Sequence, residues 1–293
     1  MEIDNKLFAK PGAKVSLEDF DTGYTGIFKH KKEGKKALKK NKKELKKLQD
    51  KLFAHNKYSI LLIFQAMDAG GKDSTIKHVM SGVNPQGCRV ISFKQPSTEE
   101  LDHDFLWRAA RALPARGMIG IFNRSHYEEV LITRVHQELV LNQRLPGINH
   151  IEDISDDFWI KRFENINAFE KNLTDNGTMV IKFFLNVSRA KQRKRFMKRI
   201  NREDKNWKFT MADIEEREYW GDYRNAYEQA IQHTSTNTAP WYVIPADHKW
   251  FMRAAVGNIL LKYLEDLPLQ YPELSPEGKK NQSKAKAILE KEE

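Results

Sequence analysis

One stretch constrains the fold of this chain more than any other: Ser59-Ile-Leu-Leu-Ile-Phe-Gln-Ala-Met-Asp-Ala-Gly-Gly-Lys-Asp-Ser-Thr-Ile-Lys77. It opens with an apolar run, Ile60 to Phe64, of the kind that fills a strand buried on both faces. The run breaks at a short loop holding Gly70 and Gly71. Lys72 then opens a helical pattern through Ile76, Val79 and Met80. Strand, glycine loop, lysine and helix in this order make a phosphate cradle. Glycines let backbone N–H groups close on an anion, and the helix start adds its positive dipole end. Lys72 adds a mobile point charge. The residues expected to hold phosphate here are Ala69, Gly70, Gly71, Lys72, Asp73 and Ser74.

The match to the P-loop pattern G-x-x-x-x-G-K-[ST] is imperfect. Ala66 takes the first glycine position, and Asp73 takes the Ser/Thr position that ordinarily serves magnesium. Asp68 puts a carboxylate inside the loop. A carboxylate there repels phosphate unless a cation sits between them. Asp68 is therefore the candidate metal ligand. Taken alone, the loop also reads as a plain βα turn with a surface lysine.

At 293 residues the chain can bury a sizeable core, as one domain with extensions. Apolar content of 40% and charged content of 31% fit a soluble globular protein. No apolar run nears the roughly 20 residues that span a bilayer, so no membrane partner is expected. The opening Met-Glu-Ile-Asp-Asn-Lys lacks the apolar region of a signal peptide. A single cysteine, Cys88, excludes an internal disulfide and reads as a small packing residue; a cytoplasmic location is expected.

The net charge of +10 is unevenly placed. Residues 29–52 carry twelve lysines against Glu33, Glu44 and Asp50, a local charge of +9. Residues 189–208 carry ten basic residues against Glu203 and Asp204, a local charge of +8. The rest is mildly acidic. Two concentrated basic elements on an acidic body point to a polyanionic partner.

Residues 1–55 read as an irregular arm followed by a Lys-rich helix over 35–55, with Leu38, Leu45, Leu48 and Leu52 on one face. The body, residues 56–270, alternates strands with helices. Five strands are expected, at Ile60–Phe64, Arg89–Phe93, Met118–Phe122, Met179–Leu185 and Trp241–Ile244. Helices are expected over 96–111, 127–136, 156–173, 188–201, 210–233 and 249–264. The charged tail, residues 271–293, reads as patchily helical or disordered. The alternation predicts a three-layer α/β fold with a mainly parallel five-stranded sheet. Ligands of such sheets bind beyond the carboxyl ends of the strands.

Unusual chemistry follows the strand ends. After the third strand comes Asn123-Arg124-Ser125-His126-Tyr127-Glu128. That is where a P-loop enzyme ordinarily has the acid that helps to hold magnesium, and here the position is Asn123. Arg124 can bind a phosphoryl group bidentately, and Glu128 can supply the missing carboxylate or orient an acceptor phosphate. A local ion pair is the competing reading for both. After the fourth strand comes a basic helix with Arg193, Arg195 and Arg199, read as a lid over about 188–210. Like charges stacked at helical spacing destabilise a helix unless an anion neutralises them. His126 reads as structural. Trp207, Tyr219, Trp220, Tyr223 and Tyr227 read mostly as core, one of them available to stack on a nucleobase.

Taken together, Phe64-Gln-Ala-Met-Asp68-Ala-Gly-Gly-Lys72, Phe122-Asn-Arg-Ser-His-Tyr-Glu128, Arg193-Lys-Arg-Phe-Met-Lys-Arg199 and Ala239-Pro-Trp-Tyr-Val-Ile-Pro-Ala-Asp247 resemble the polyphosphate kinase 2 family. The Asn-Arg-Ser-His-Tyr-Glu form resembles its class III members; other classes tend to have Asp where Asn123 stands. The resemblance implies a P-loop kinase core with a helical lid. It implies reversible transfer of the terminal phosphoryl of inorganic polyphosphate to AMP and ADP, with Mg²⁺ or Mn²⁺. Catalytic positions fall on Asp68, Lys72, Asn123, Arg124, Glu128 and Arg195, with Arg193 and Arg199 beside the phosphates. Adenine and also guanine nucleotides, polyphosphate and a second copy of the chain are the implied partners, and no specific nucleic acid. An ATP-dependent P-loop kinase of a nucleotide or small metabolite is the alternative, and it leaves the Lys-rich helix idle. A nucleic-acid binder gives no reason for Asp68.

Overall fold

The computed structural model describes residues 3–207 and 209–292. Met1 and Glu2 of the expected arm, Lys208 of the basic segment and Glu293 of the tail lie outside the described residues. Six strands form one sheet: β1 (Phe8–Ala9), β2 (Ser59–Gln65), β3 (Cys88–Ser92), β4 (Ile119–Asn123), β5 (Thr178–Asn186) and β6 (Trp241–Pro245). Their spatial order is β1-β6-β5-β2-β4-β3. The five expected strands are all present and all parallel. The sixth, β1, comes from the arm and pairs antiparallel with β6. Two residues are too few for a periodic signal, so the arm reads as irregular until the edge of β6 is there to pair with it.

Parallel register brings the strand ends to one edge of the sheet: Phe64 lies opposite Asn123, Gln65 opposite Phe184, and Asn186 opposite Pro245. β2 is central, with all seven residues buried. Its apolar run is continuous because helices cover both faces. On one face lie α1 (Lys31–His55), α2 (Lys72–Val79) and α6 (Lys249–Asp266). On the other lie α3 (Asp156–Asp175) and α5 (Trp220–Thr234). The basic helix α4 (Arg189–Ile200) follows β5. Alternation along β5 divides the layers: Phe184 packs on Tyr227 of α5, while Phe183 faces Tyr242. The face that carries Phe184 also holds Lys182 of β5, completely buried, against Glu170 of α3.

α1 begins at Lys31, earlier than its leucine pattern predicts, and lies along α6. Gly34 fixes how close the two helices come: a Cβ there would sit 2.3 Å from the Trp250 ring. Leu45 and Leu52 are buried, worth about 1.5–3 kcal/mol each. A left-handed Asn56 ends the helix.

Three expected helices are broken. Over 96–111 there are two short helices, Thr98–Leu101 and Trp107–Arg111, because the Asp104 carboxylate accepts from the Leu106 amide at 2.6 Å and builds a turn between them. Over 127–136 a 3₁₀ turn, His126–Val130, precedes Ile132–Val135. Over 210–233 the short helix Ala212–Glu215 is separate from α5, and Glu216 in the break bonds Tyr223 and His136. The tail is one continuous, exposed helix, α7 (Pro276–Leu289), with Ser275 as its cap. Trp207 and Tyr219, expected in the core, are 73% and 42% exposed.

Candidate active site

The loop between β2 and α2 is tightly built. Gly70 donates its amide to Met67 O at 2.9 Å. A Cβ on Gly70 would lie 2.6 Å from the Ala66 Cβ and 2.7 Å from Met67 O. Only one of positions 66 and 70 can carry a methyl group. Ala66 therefore fits the first-glycine position because Gly70 leaves it the space. Ala69 and Gly71 take positive φ, 53° and 105°, and turn the chain into α2. The first amides of α2 then face the loop without helical partners, as anion binding requires.

Lys72 folds back onto this loop and donates to Ala66 O at 2.8 Å. Burial, and then Arg124, lower its ammonium pKa from the ordinary lysine value; Asp68, Glu128 and Asp73 act in the opposite sense. These residues from two segments, the loop with the start of α2 and the chain after β4, thus surround one cation. Arg124 donates to Asp68 Oδ1 at 3.0 Å. Its own backbone is left-handed, φ 63°, which turns the side chain back across the end of β4 toward the loop. Asn123 donates to Asp73 Oδ1 at 2.8 Å. Two of the departures from the P-loop pattern, Asp73 and Asn123, therefore touch each other. The carboxylate missing at the β4 end is supplied by Asp73 at the helix start.

Arg195 of α4 reaches the far side of the loop. It donates to Ala69 O at 2.9 Å and Gly70 O at 2.8 Å, and also to Ala246 O after β6. Burial lowers its pKa first of all. Gln192, one turn earlier, donates to Asp68 O at 2.8 Å. The helix expected to act as a lid is thus tied to the loop's carbonyls. Arg199 continues that flank and pairs with Asp213 at 3.0 Å. Arg193 lies on the exposed side of α4, beside Arg217.

Sequence reasoning passed over Arg253 of α6 and left Lys249 without a role. Arg253 donates to Ser74 Oγ at 2.7 Å, so Ser74 anchors a cation beside the loop. Lys249 lies close to Arg195, Arg253, Lys205 and Lys198. Burial of its stem and these charges lower its ammonium pKa to about 8. The available signal was their position, one turn apart just after the β6 end.

On the other side of Asp68 a cavity of about 200 Å³ is lined by Arg124, Glu128, Asp213, Trp220 and Tyr223. A second, of about 380 Å³, lies beyond Arg124 and Glu128, among Phe93, Lys94, Pro96, Leu101, Ile132 and Leu139. Behind both, buried Glu129 pairs with Arg108 at 3.1 Å and accepts from Gln143. Ser125 and His126 are completely buried. His126 packs on Phe169 and Tyr127, the structural role expected of it.

Mg²⁺ takes one or two carboxylates and completes its sphere with water and substrate phosphates. Asp68 and Asp73, both beside Lys72, fit that requirement. Among the described residues, no group of three or more His, Cys, Asp or Glu forms a closed metal cage.

A parallel sheet with a lysine-bearing glycine loop after its central strand, cations on both sides and two carboxylates defines a P-loop phosphoryl-transfer protein. The sequence model described as Polyphosphate kinase 2 (PPK2) matches residues 28–270, and the chain belongs to that family. It is 47% identical over 281 residues to an ADP-polyphosphate phosphotransferase of Rhodopseudomonas palustris, covering 96% of each chain. It is 44% identical over 269 residues to an AMP/ADP-polyphosphate phosphotransferase of Meiothermus ruber, covering 92% of this chain and 95% of that one. The crystal structure of polyphosphate kinase 2 from Arthrobacter aurescens superposes with a TM-score of 0.82 at 40% identity, over 91% of this chain and 93% of that one.

Proposed function

We propose that the protein moves the terminal phosphoryl group of inorganic polyphosphate to AMP and ADP, with a divalent metal. The observation that carries this reading is the pair of cation sets on either side of one loop. Arg195, Lys249 and Arg253 line one side, and Arg124 stands on the other. Two phosphate chains meeting end to end need positive charge on both flanks. The names of the relatives support polyphosphate as donor and adenine nucleotides as acceptors. They do not favour the ATP-dependent alternative.

The polyphosphate end lies over the loop, against Lys72 and the Lys249–Arg253 side. The nucleotide enters the cavity beyond Arg124, its phosphate toward Arg124 and Glu128. An oxygen of the acceptor phosphate attacks the terminal phosphorus, and the bridging P–O bond to the donor breaks. The shortened polyphosphate keeps that oxygen. A nucleotide phosphate is already a competent nucleophile, so no strong general base is required. The chain's task is in-line positioning and charge neutralisation. Lys72 and Arg124 meet the transferring group, and Arg195 positions the loop through its carbonyls. Mg²⁺ or Mn²⁺, held by Asp68 and Asp73 together with substrate phosphates, supplies further neutralisation.

The test is a coupled assay with polyphosphate as the only donor and AMP, ADP or GDP as acceptor. Formation of ADP and ATP is expected; transfer from ATP alone, with none from polyphosphate, would overturn the reading.

A further inference from the structure

The catalytic residues leave α1 without a role. It is 25 residues long, and its lysines are more numerous than packing needs. Its buried face, with Gly34, Leu45 and Leu52, is turned to α6. Among the described residues, only Lys47 of the α1 lysines has an ion pair, with Glu44, and only Lys42 bonds outside the helix, donating to Ser81 Oγ at 2.8 Å. Lysines at adjacent turns repel one another, so a solvated face alone gives no reason for this arrangement.

Two contacts orient the helix relative to the site. Gly34 touches Trp250, next to Lys249, and Lys42 touches Ser81, just past the end of α2. Arg253 bridges to Ser74 near the start of α2. The first turns of α1 therefore adjoin the cation cluster at the loop, its middle passes the far end of α2, and its later turns pack on the segment that follows, where Gln49 bonds Asn84. Lys31, Lys35, Lys42 and Lys46 recur at four- and seven-residue spacing, which puts them on the one flank that Lys42 marks as turned to Ser81, past the end of α2. Lys36, Lys40, Lys43 and Lys47 lie on the face opposite the buried one. The flank from Lys31 to Lys46 spans about 22 Å.

We infer that this flank is a second binding site for the donor, a track on which the chain of a long polyphosphate lies after it leaves the loop. The inference rests on the proposed polyphosphate reading. The track binds phosphate units that do not react, so it lowers the KM of long chains and leaves the chemical step untouched.

The experiment compares a short oligophosphate, which fills only the reaction centre, with long-chain polyphosphate, ADP being the acceptor. In the variant Lys31→Gln/Lys35→Gln/Lys42→Gln/Lys46→Gln the KM for long chains is expected to rise about tenfold, with kcat and the short-chain KM unchanged. Its dependence of KM on salt is expected to weaken. The variant Lys36→Gln/Lys40→Gln/Lys43→Gln/Lys47→Gln, with the same change in net charge, is the control and is expected to shift the long-chain KM little. Equal effects of the two variants, or an unchanged long-chain KM in the first, would overturn the track. No transfer by the unmodified protein from either donor would instead remove the polyphosphate reading on which it stands.

Discussion

Lys72 is held between opposing influences: burial and Arg124 act against its charge, and three carboxylates support it. Substituting Lys72→Ala removes the cation at the loop, and the expected loss in kcat is about 10³-fold, measured with saturating polyphosphate and ADP. Asp68→Asn keeps the shape and removes the charge, so the metal concentration for half-maximal rate is expected to rise more than the nucleotide KM. A pH effect belongs to Lys249. With a pKa of about 8 it loses its charge as pH rises through that value. A bound polyanion favours the charged form, so affinity for polyphosphate is expected to fall above that pH. In Lys249→Arg, which stays charged, that step in a plot of KM against pH is expected to vanish. The Asp73–Asn123 contact makes a reciprocal case. Asp73→Asn is expected to lose most of the metal-dependent rate, and adding Asn123→Asp to it is expected to restore part of that rate.

The 3₁₀ turn His126–Val130 carries Glu128 and follows Arg124, yet it is too short to hold its own geometry. A buried ionic group anchors it. Lys182 of β5 donates to Glu170, to Tyr127 Oη at 3.0 Å and to Thr234 O at 2.7 Å, while Tyr127 donates to Glu170 at 2.9 Å. Removing one partner of such a pair leaves an uncompensated buried charge. Lys182→Met is therefore expected to cost about 3–5 kcal/mol, read as a lowered midpoint in urea denaturation. Adding Glu170→Gln to that variant is expected to recover much of the loss, since the stranded charge is gone. At the same scale, Arg195 serves three carbonyls that only a planar fork reaches together. Arg195→Lys is expected to behave more like an alanine substitution than a conservative one, with kcat falling by about tenfold or more.

For the whole molecule, the implied homo-oligomer predicts a light-scattering mass that is a multiple of the 34.3 kDa chain. Among the described residues no helix is long and apolar enough to cross a membrane. Much of the architecture was legible in the residues themselves. The apolar run Ile60–Phe64, the glycines, Lys72 and the alternation of strands with helices specify a parallel sheet with its site at one edge, because period and local propensity are properties of adjacent residues. So are the two basic elements, since charge density is counted along the chain. What the sequence leaves open depends on residues distant in the chain that meet in space. β1 exists because the edge of β6 offers it hydrogen bonds. The helix break at Glu216 goes with a side chain that bonds His136, 80 residues earlier in the chain. The contacts of Asp73 with Asn123, Arg195 with the loop, and Arg253 with Ser74 join positions 50 to 179 residues apart, and no local pattern encodes them. The loop from Ala66 to Lys72 was chosen by sequence as a phosphate site. Tertiary packing decided which cations stand on each side of it, because only the fold brings α4, α6 and the end of β4 to the same edge of the sheet.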